Sequence, residues 1–116
     1  MYRAWATTRG MRTDVITERH NPYTLTLTIS GFAAHTILTS EHGLHVLELP
    51  DGHTITRLNA RVRVAPDIKT LTTPTDDPII VRRYRDAPSP LVRDSIRNWR
   101  TGRMDLVLRG AFDVMR

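Results

Sequence analysis

The stretch Thr24-Leu25-Thr26-Leu27-Thr28-Ile29 alternates polar and apolar side chains without a fault. A period of two suits a strand with one buried face and does not suit an amphipathic helix. Leu25, Leu27 and Ile29 are expected to face a core, with the three threonines facing outward. Upstream, residues 13–18 are rich in β-branched side chains and Asn21-Pro22 is a strong turn signal, so the two segments predict an antiparallel hairpin. Residues 44–49 and 53–64 predict a second hairpin around the compact turn Pro50-Asp51-Gly52. In its longer strand Leu58, Ala60, Val62 and Val64 form an apolar side, while Arg57, Arg61 and Arg63 make the other side basic.

Helix signals are shorter. Residues 1–9 carry large side chains at helical spacing and end at Gly10, a plausible C-cap. Ser30 is placed to cap a second helix through residues 32–38, ending near Gly43. Residues 66–78 are Thr-rich and flanked by prolines, as in a linker or long loop. A short strand is expected over residues 79–84, and the prolines of residues 86–90 break regular structure. Residues 103–109 suit a short helix stopped at Gly110, with a further turn through Phe112. The expected fold class is α+β, an antiparallel sheet with helices on one face. Trp5 is expected near Leu25, Leu27 and Val62, and the C-terminal segment adds a strand to the same unit.

A chain of 116 residues suits one domain. Its expected parts are residues 1–66, a linker over 67–78, and residues 79–116. The sequence has no apolar run of ~18 residues and no signal-like apolar segment near residue 1, so the expectation is a cytoplasmic protein with no membrane partner. With no cysteine there are no disulfides and no thiolate ligands. His42 and His45 lie three apart, but Gly43 between them spoils a helical metal site, and no metal is expected. No serine sits in a nucleophile-elbow setting, and there is no phosphate loop or dinucleotide fingerprint. The expectation is a non-enzyme without cofactor or small-molecule substrate.

The charge is more informative. The net charge is +5, and 16 of the 17 basic residues are arginine, Lys69 being the exception. Arginine's planar fork suits phosphates, although a GC-rich genome produces the same bias. Residues 79–116 hold nine arginines against four aspartates, so the excess is concentrated there. Arg57, Arg61 and Arg63 form one candidate nucleic-acid contact group. Arg82, Arg83, Arg85, Arg93, Arg97 and Arg100, interleaved with Tyr84 and Trp99, form the second. The competing reading is a solvated face whose arginines pair with Asp86 and Asp94 while Trp99 fills the core.

The order of segments resembles the bacterial class I peptide chain release factors. Tyr2-Arg3-Ala4-Trp5-Ala6-Thr7-Thr8-Arg9-Gly10 is similar to a helix end in that family's second domain, and residues 25–34 to its strand followed by Gly-x-Tyr-Ala. Ser40-Glu41-His42-Gly43-Leu44-His45 resembles Ser-Glu-x-Gly-Val-His, and residues 57–66 fall where the family has a long strand ending in proline. Val81-Arg82-Arg83-Tyr84 resembles Ile-Arg-x-Tyr, and Val107-Leu108-Arg109-Gly110-Ala111-Phe112-Asp113 resembles Val-Leu-x-Gly-x-Leu-Asp. The resemblance implies a decoding superdomain in which domains 2 and 4 are fused. In the family a domain carrying Gly-Gly-Gln lies between those strands, and here residues 67–78 take its place. The family's stop-codon loop is shortened to Pro50-Asp51-Gly52, and Val46 stands where its arginine would be.

Two functions are therefore expected as alternatives. One is a ribosome- or rRNA-binding module near the decoding region, without peptidyl-tRNA hydrolysis, contacting RNA through Arg57, Arg61, Arg63, Arg82, Arg83 and Arg85. The other is a protein-interaction domain on a repurposed release-factor scaffold.

Overall fold

The computed structural model describes residues 1–71 and 78–115. Both hairpins form. Strands β1 (Arg12–Arg19) and β2 (Thr24–Ser30) pair antiparallel as a separate two-stranded sheet, with a bulge between Val15 and Thr17. Strands β3 (Gly43–Asp51) and β4 (Thr54–Val62) pair antiparallel in unbroken register from Gly43 opposite Val62 to Asp51 opposite Thr54. The turn closes at Gly52-His53, one residue later than the sequence suggests. Gly52 has φ +61, a conformation glycine adopts without the Cβ penalty.

The C-terminal segment joins this second hairpin. Strand β5 (Ile80–Arg85) runs parallel to β3, and β6 (Leu91–Asp94) and β7 (Trp99–Thr101) follow antiparallel, giving the order β4-β3-β5-β6-β7. The sheet is therefore mixed, where the sequence patterns suggested a purely antiparallel one. A parallel neighbour of β3 has to arrive by a crossover, because a tight turn can only produce an antiparallel partner. Two short strands, β6 and β7, were not anticipated. The linker expected over residues 67–78 lies partly outside the described residues. Its described part holds a 3-10 turn, Ile68–Thr70, capped by Asp67 Oδ1 accepting from the Thr70 amide at 2.9 Å.

Helices α1 (Tyr2–Thr8), α2 (Ala34–Leu38) and α3 (Met104–Leu108) supply buried side chains to one face of this sheet. The core joins Trp5 and Ala6 of α1, Ala34 of α2 and Val107 of α3 to Tyr84, Val92 and Trp99 of the sheet, with Phe112 from the turn after α3. The architecture is α+β, with helices packed on one sheet face. Among the described residues no helix is long and apolar enough to cross a membrane.

Three local expectations are corrected. Ser30 does not cap α2; it is the last residue of β2, opposite Arg12, and its backbone belongs to the ladder. The N-cap of α2 is Ala33, in the left-handed region at φ 60. Trp5 does not pack against Leu25, Leu27 and Val62. Its ring lies 5.9 Å from that of Phe112, and only Ile29 of the first hairpin touches this core. Gly110 makes this packing possible, since a Cβ there would fall 2.6 Å from Trp5 Cα. Finally, the apolar side of β4 is not buried. Leu58 is 53% exposed because β4 is the sheet's edge.

Candidate nucleic-acid interface

Residues directly opposite one another in neighbouring strands share a sheet face, and successive residues alternate faces. Arg82 and Arg83 therefore point to opposite sides of β5. On the helix side lie His45, Arg82, Tyr84, Val92, Asp94 and Trp99. On the other side lie Val46 and Glu48 of β3, Arg57 and Arg61 of β4, Arg83 and Arg85 of β5, Arg93 of β6 and Arg100 of β7.

Arg82 is the centre of a buried ionic cluster. It is 0% exposed, so it does not belong to a surface footprint as its sequence position suggested. Its guanidinium donates from Nη1 and Nη2 to Glu41 at 2.9 and 2.5 Å, and from Nε and Nη2 to Asp94 at 3.0 and 2.7 Å. A fifth bond runs from Nη1 to the Tyr84 hydroxyl at 3.0 Å, so the planar fork is fully used. Arg97 also pairs with Glu41 and donates to the Ile37 carbonyl at 2.8 Å. The Tyr2 hydroxyl donates to Glu41 Oε1 at 3.0 Å. Burial, reinforced by the Glu41 carboxylate, raises the Tyr2 pKa. The rings of Trp99 and Phe112 lie 5.2 and 5.3 Å from Arg82 Cζ, which adds cation–π attraction inside the core. Two cations face two carboxylates, and this balance makes the burial tolerable.

Tyr2, Trp5, Glu41, Arg82, Tyr84, Gly110 and Phe112 are bonded or packed together here. Gly43, with φ +138, lets Val81 approach the β3 backbone; a Cβ on Gly43 would lie 2.6 Å from Val81 Cγ2. His45 Nε2 hydrogen-bonds the Glu41 carbonyl at 2.9 Å, while His42 Nδ1 accepts from the Val64 amide at 2.9 Å. The two histidines therefore do not converge on a common point. Among the described residues no cluster of three or more His, Asp or Glu could hold a metal ion.

The opposite face has a different character. Arg83, Arg93 and Arg100 stand in register on three adjacent strands, so they span ~10 Å at the usual strand spacing. The side chains of Arg93 and Arg100 are exposed and make no hydrogen bond or ion pair among the described residues. Arg83 has one partner, Glu48, at 3.8 Å. Like charges placed directly opposite each other across strands repel. Arg85 is half-buried, and its Nε has no hydrogen-bond partner among the described residues. Arg57 and Arg61 are exposed on the same face at its far edge, opposite Glu48 and Leu44. Arg63 is exposed just beyond the end of β4. A depression of about 390 Å³ runs along β5, β6 and β7, lined by residues 80–83, 93–95 and 98–100, which include Asp94 as well as Arg83, Arg93 and Arg100, and by no helical residue. This arrangement can hold anions, with guanidinium and amide donors beside the buried Val81.

The sequence names all six arginines on this face as candidate contacts, but the footprint chosen from them keeps Arg57, Arg61, Arg83 and Arg85 and omits Arg93 and Arg100. The hairpin that brings those two into line turns at Asn98, with φ 58, and this is the one local signal that could have placed them. Of the competing reading, the pairing of Asp94 with an arginine and the placing of Trp99 in the core are seen, but the arginine concerned, Arg82, is buried and not on a solvated face. Protein-family models give no match to this chain, and neither do curated proteins.

Proposed function

We propose that the chain is a non-catalytic RNA-binding module that grips phosphates with the helix-free face of its five-stranded sheet. The observation that carries this is the in-register row Arg83, Arg93 and Arg100, with Glu48 as the one acid paired to it among the described residues. A folded protein holds such a row against its own repulsion, and an anionic ligand relieves that repulsion. The release-factor resemblance favours ribosomal RNA near the decoding region as the target. Codon reading and peptide release are not part of the proposal. The turn where the family carries its stop-codon tripeptide is here two residues, Gly52 and His53, and residues 67–78 take the place of the Gly-Gly-Gln domain.

A second reading, a protein-interaction domain on a repurposed scaffold, is favoured by Phe32, which is 95% exposed, and by the exposed Tyr23. Co-sedimentation with ribosomes and isolated small subunits across a salt series separates the two. An interface using about four phosphates loses affinity on the order of 100-fold between roughly 50 and 200 mM salt. Salt-sensitive pelleting with small subunits supports the RNA reading. Failure to pellet even at low salt moves the choice to a protein partner. Release of labelled peptide by the purified protein would overturn the non-catalytic part.

A further inference from the structure

We infer that the chain pairs with a second copy of itself along the outer edge of β4, antiparallel about a two-fold axis at Leu58. Nothing in this pairing depends on RNA. An edge strand presents a row of unpaired N–H and C=O groups, and proteins that stay monomeric blunt such edges with short strands, prolines, lysines or bulges. The two edges of the five-stranded sheet differ in this respect. β7 is three residues long. β4 is nine residues long, has neither proline nor lysine, and keeps unbroken register with β3, so no bulge turns it away. Among the described residues no strand pairs with its outer side. The helix side of the sheet ends there in an apolar border, where the exposed Leu58 stands opposite the half-buried Leu47 and near the exposed Leu49.

Two-fold symmetry in an antiparallel pair places one residue opposite its own copy, and opposite residues share a face. Centred on Leu58, all nine residues of β4 pair. On the helix side Leu58 meets the second copy's Leu58, Thr56 meets Ala60 and Thr54 meets Val62. On the helix-free side Arg57 meets Asn59 and Ile55 meets Arg61, so no like charges stand directly opposite. Centring on Arg57 would set two arginines face to face, and centring on Asn59 would set Arg57 against Arg61. Centring on Thr56 or Ala60 would pair only about half of the strand.

The charge pattern of β4 is therefore self-complementary in the one register that uses its whole length. The axis stands perpendicular to the sheet, so both copies keep their helix-free faces on the same side of one continuous sheet. Pairing consumes the long edge and leaves the short edges at β7, which ends assembly at two copies.

The test is sedimentation velocity on the full chain, without RNA, from micromolar to millimolar concentration. The expected species at the upper end has twice the 13.3 kDa mass of one chain. Leu58→Lys, which sets two ammonium groups opposite each other, is expected to return it to a single chain. Asn59→Glu, which sets a carboxylate opposite Arg57 on both sides of the axis, is expected to tighten the pair roughly tenfold. The chain has no cysteine, so single cysteines report the register. Opposite Cα atoms in an antiparallel pair lie about 4.5–5.5 Å apart, within disulfide range, and Leu58→Cys is expected to cross-link about tenfold faster than Asn59→Cys under mild oxidation. Both positions are exposed, and circular dichroism confirms that each variant is folded. A single-chain mass at millimolar concentration overturns the pairing. A dimer that Leu58→Lys leaves intact overturns the assignment to β4, and faster cross-linking of Asn59→Cys overturns the axis at Leu58.

Discussion

Arg82 and Arg83 are neighbours in one strand, yet their charges serve different ends. Arg82 faces the helices, is sealed from water and commits all five donors to Glu41, Asp94 and Tyr84. Arg83 faces the open side, has one loose carboxylate partner and stands in a row with Arg93 and Arg100. Residue type is the same in both cases, and the surroundings decide what the charge does. The helix face uses arginine to bind the two halves of the chain together. The open face keeps the Arg83, Arg93 and Arg100 guanidiniums at the surface.

The contrast breaks first at Arg82. Arg82→Ala leaves the buried Glu41 and Asp94 without their central partner, so a loss of about 3–5 kcal/mol is expected in chemical denaturation. Arg82→Lys should recover little of this, because an ammonium cannot form the planar fork. A folded Arg82→Ala variant of near-normal stability would mean that the cluster is not structural.

The reverse pattern is expected on the other side. The double variant Arg83→Glu, Arg93→Glu should lower RNA affinity on the order of 100-fold, with a shallower salt dependence. Its stability should stay within about 0.5 kcal/mol of the original. Binding and denaturation curves measured on the same preparation check both halves of this expectation.

Acid separates the faces further. Burial is the main cause that holds the His45 imidazole below its ordinary pKa of 6.5, acting together with the Arg82 guanidinium and against the Glu41 carbonyl bond and the Glu41 and Asp94 carboxylates. The unfolded chain therefore binds a proton that the folded chain refuses. His45 contributes stability that is complete above pH 6.5 and is lost as pH falls below it. Urea midpoints measured on either side of pH 6.5 should show this loss, and His45→Gln should flatten it. RNA affinity should change little over the same window, since neither arginine nor a backbone phosphate diester titrates there.

The smallest effect is the most diagnostic of repulsion. Arg93→Thr, which relieves the row, should raise the stability of the RNA-free protein by about 0.2–1 kcal/mol at low salt. The gain should fade at high ionic strength, where exposed charges are screened.

Features governed by local chemistry are legible in the sequence alone. The strand at Leu25, Leu27 and Ile29, the turn glycine Gly52 and the helix stops at Gly10 and Gly110 each act through neighbours along the chain. The expected burial of the leucines over the threonines does not appear, since Leu25, Thr26, Leu27 and Thr28 are all half-buried in β2. The division of β4 into a basic and an apolar side is legible too, though not the burial of the latter, because nothing local marks an edge strand. Strands β6 and β7, four and three residues long, are too short for a period of two to stand out. The parallel pairing of β5 with β3, and with it the fate of Arg82, depends on residues far away in sequence. Glu41 is 41 positions from Arg82, and no window containing Arg82-Arg83-Tyr84 distinguishes the arginine that will be buried from the one that will not.

The most direct test compares RNA binding of the intact protein and of the triple variant Arg83→Glu, Arg93→Glu, Arg100→Glu, by polarisation across a salt series, with folding verified for both. The expected result is salt-sensitive binding by the intact protein and loss of that binding in a variant that remains folded. Undiminished binding by the folded triple variant would contradict the assignment of this face as the RNA-binding surface.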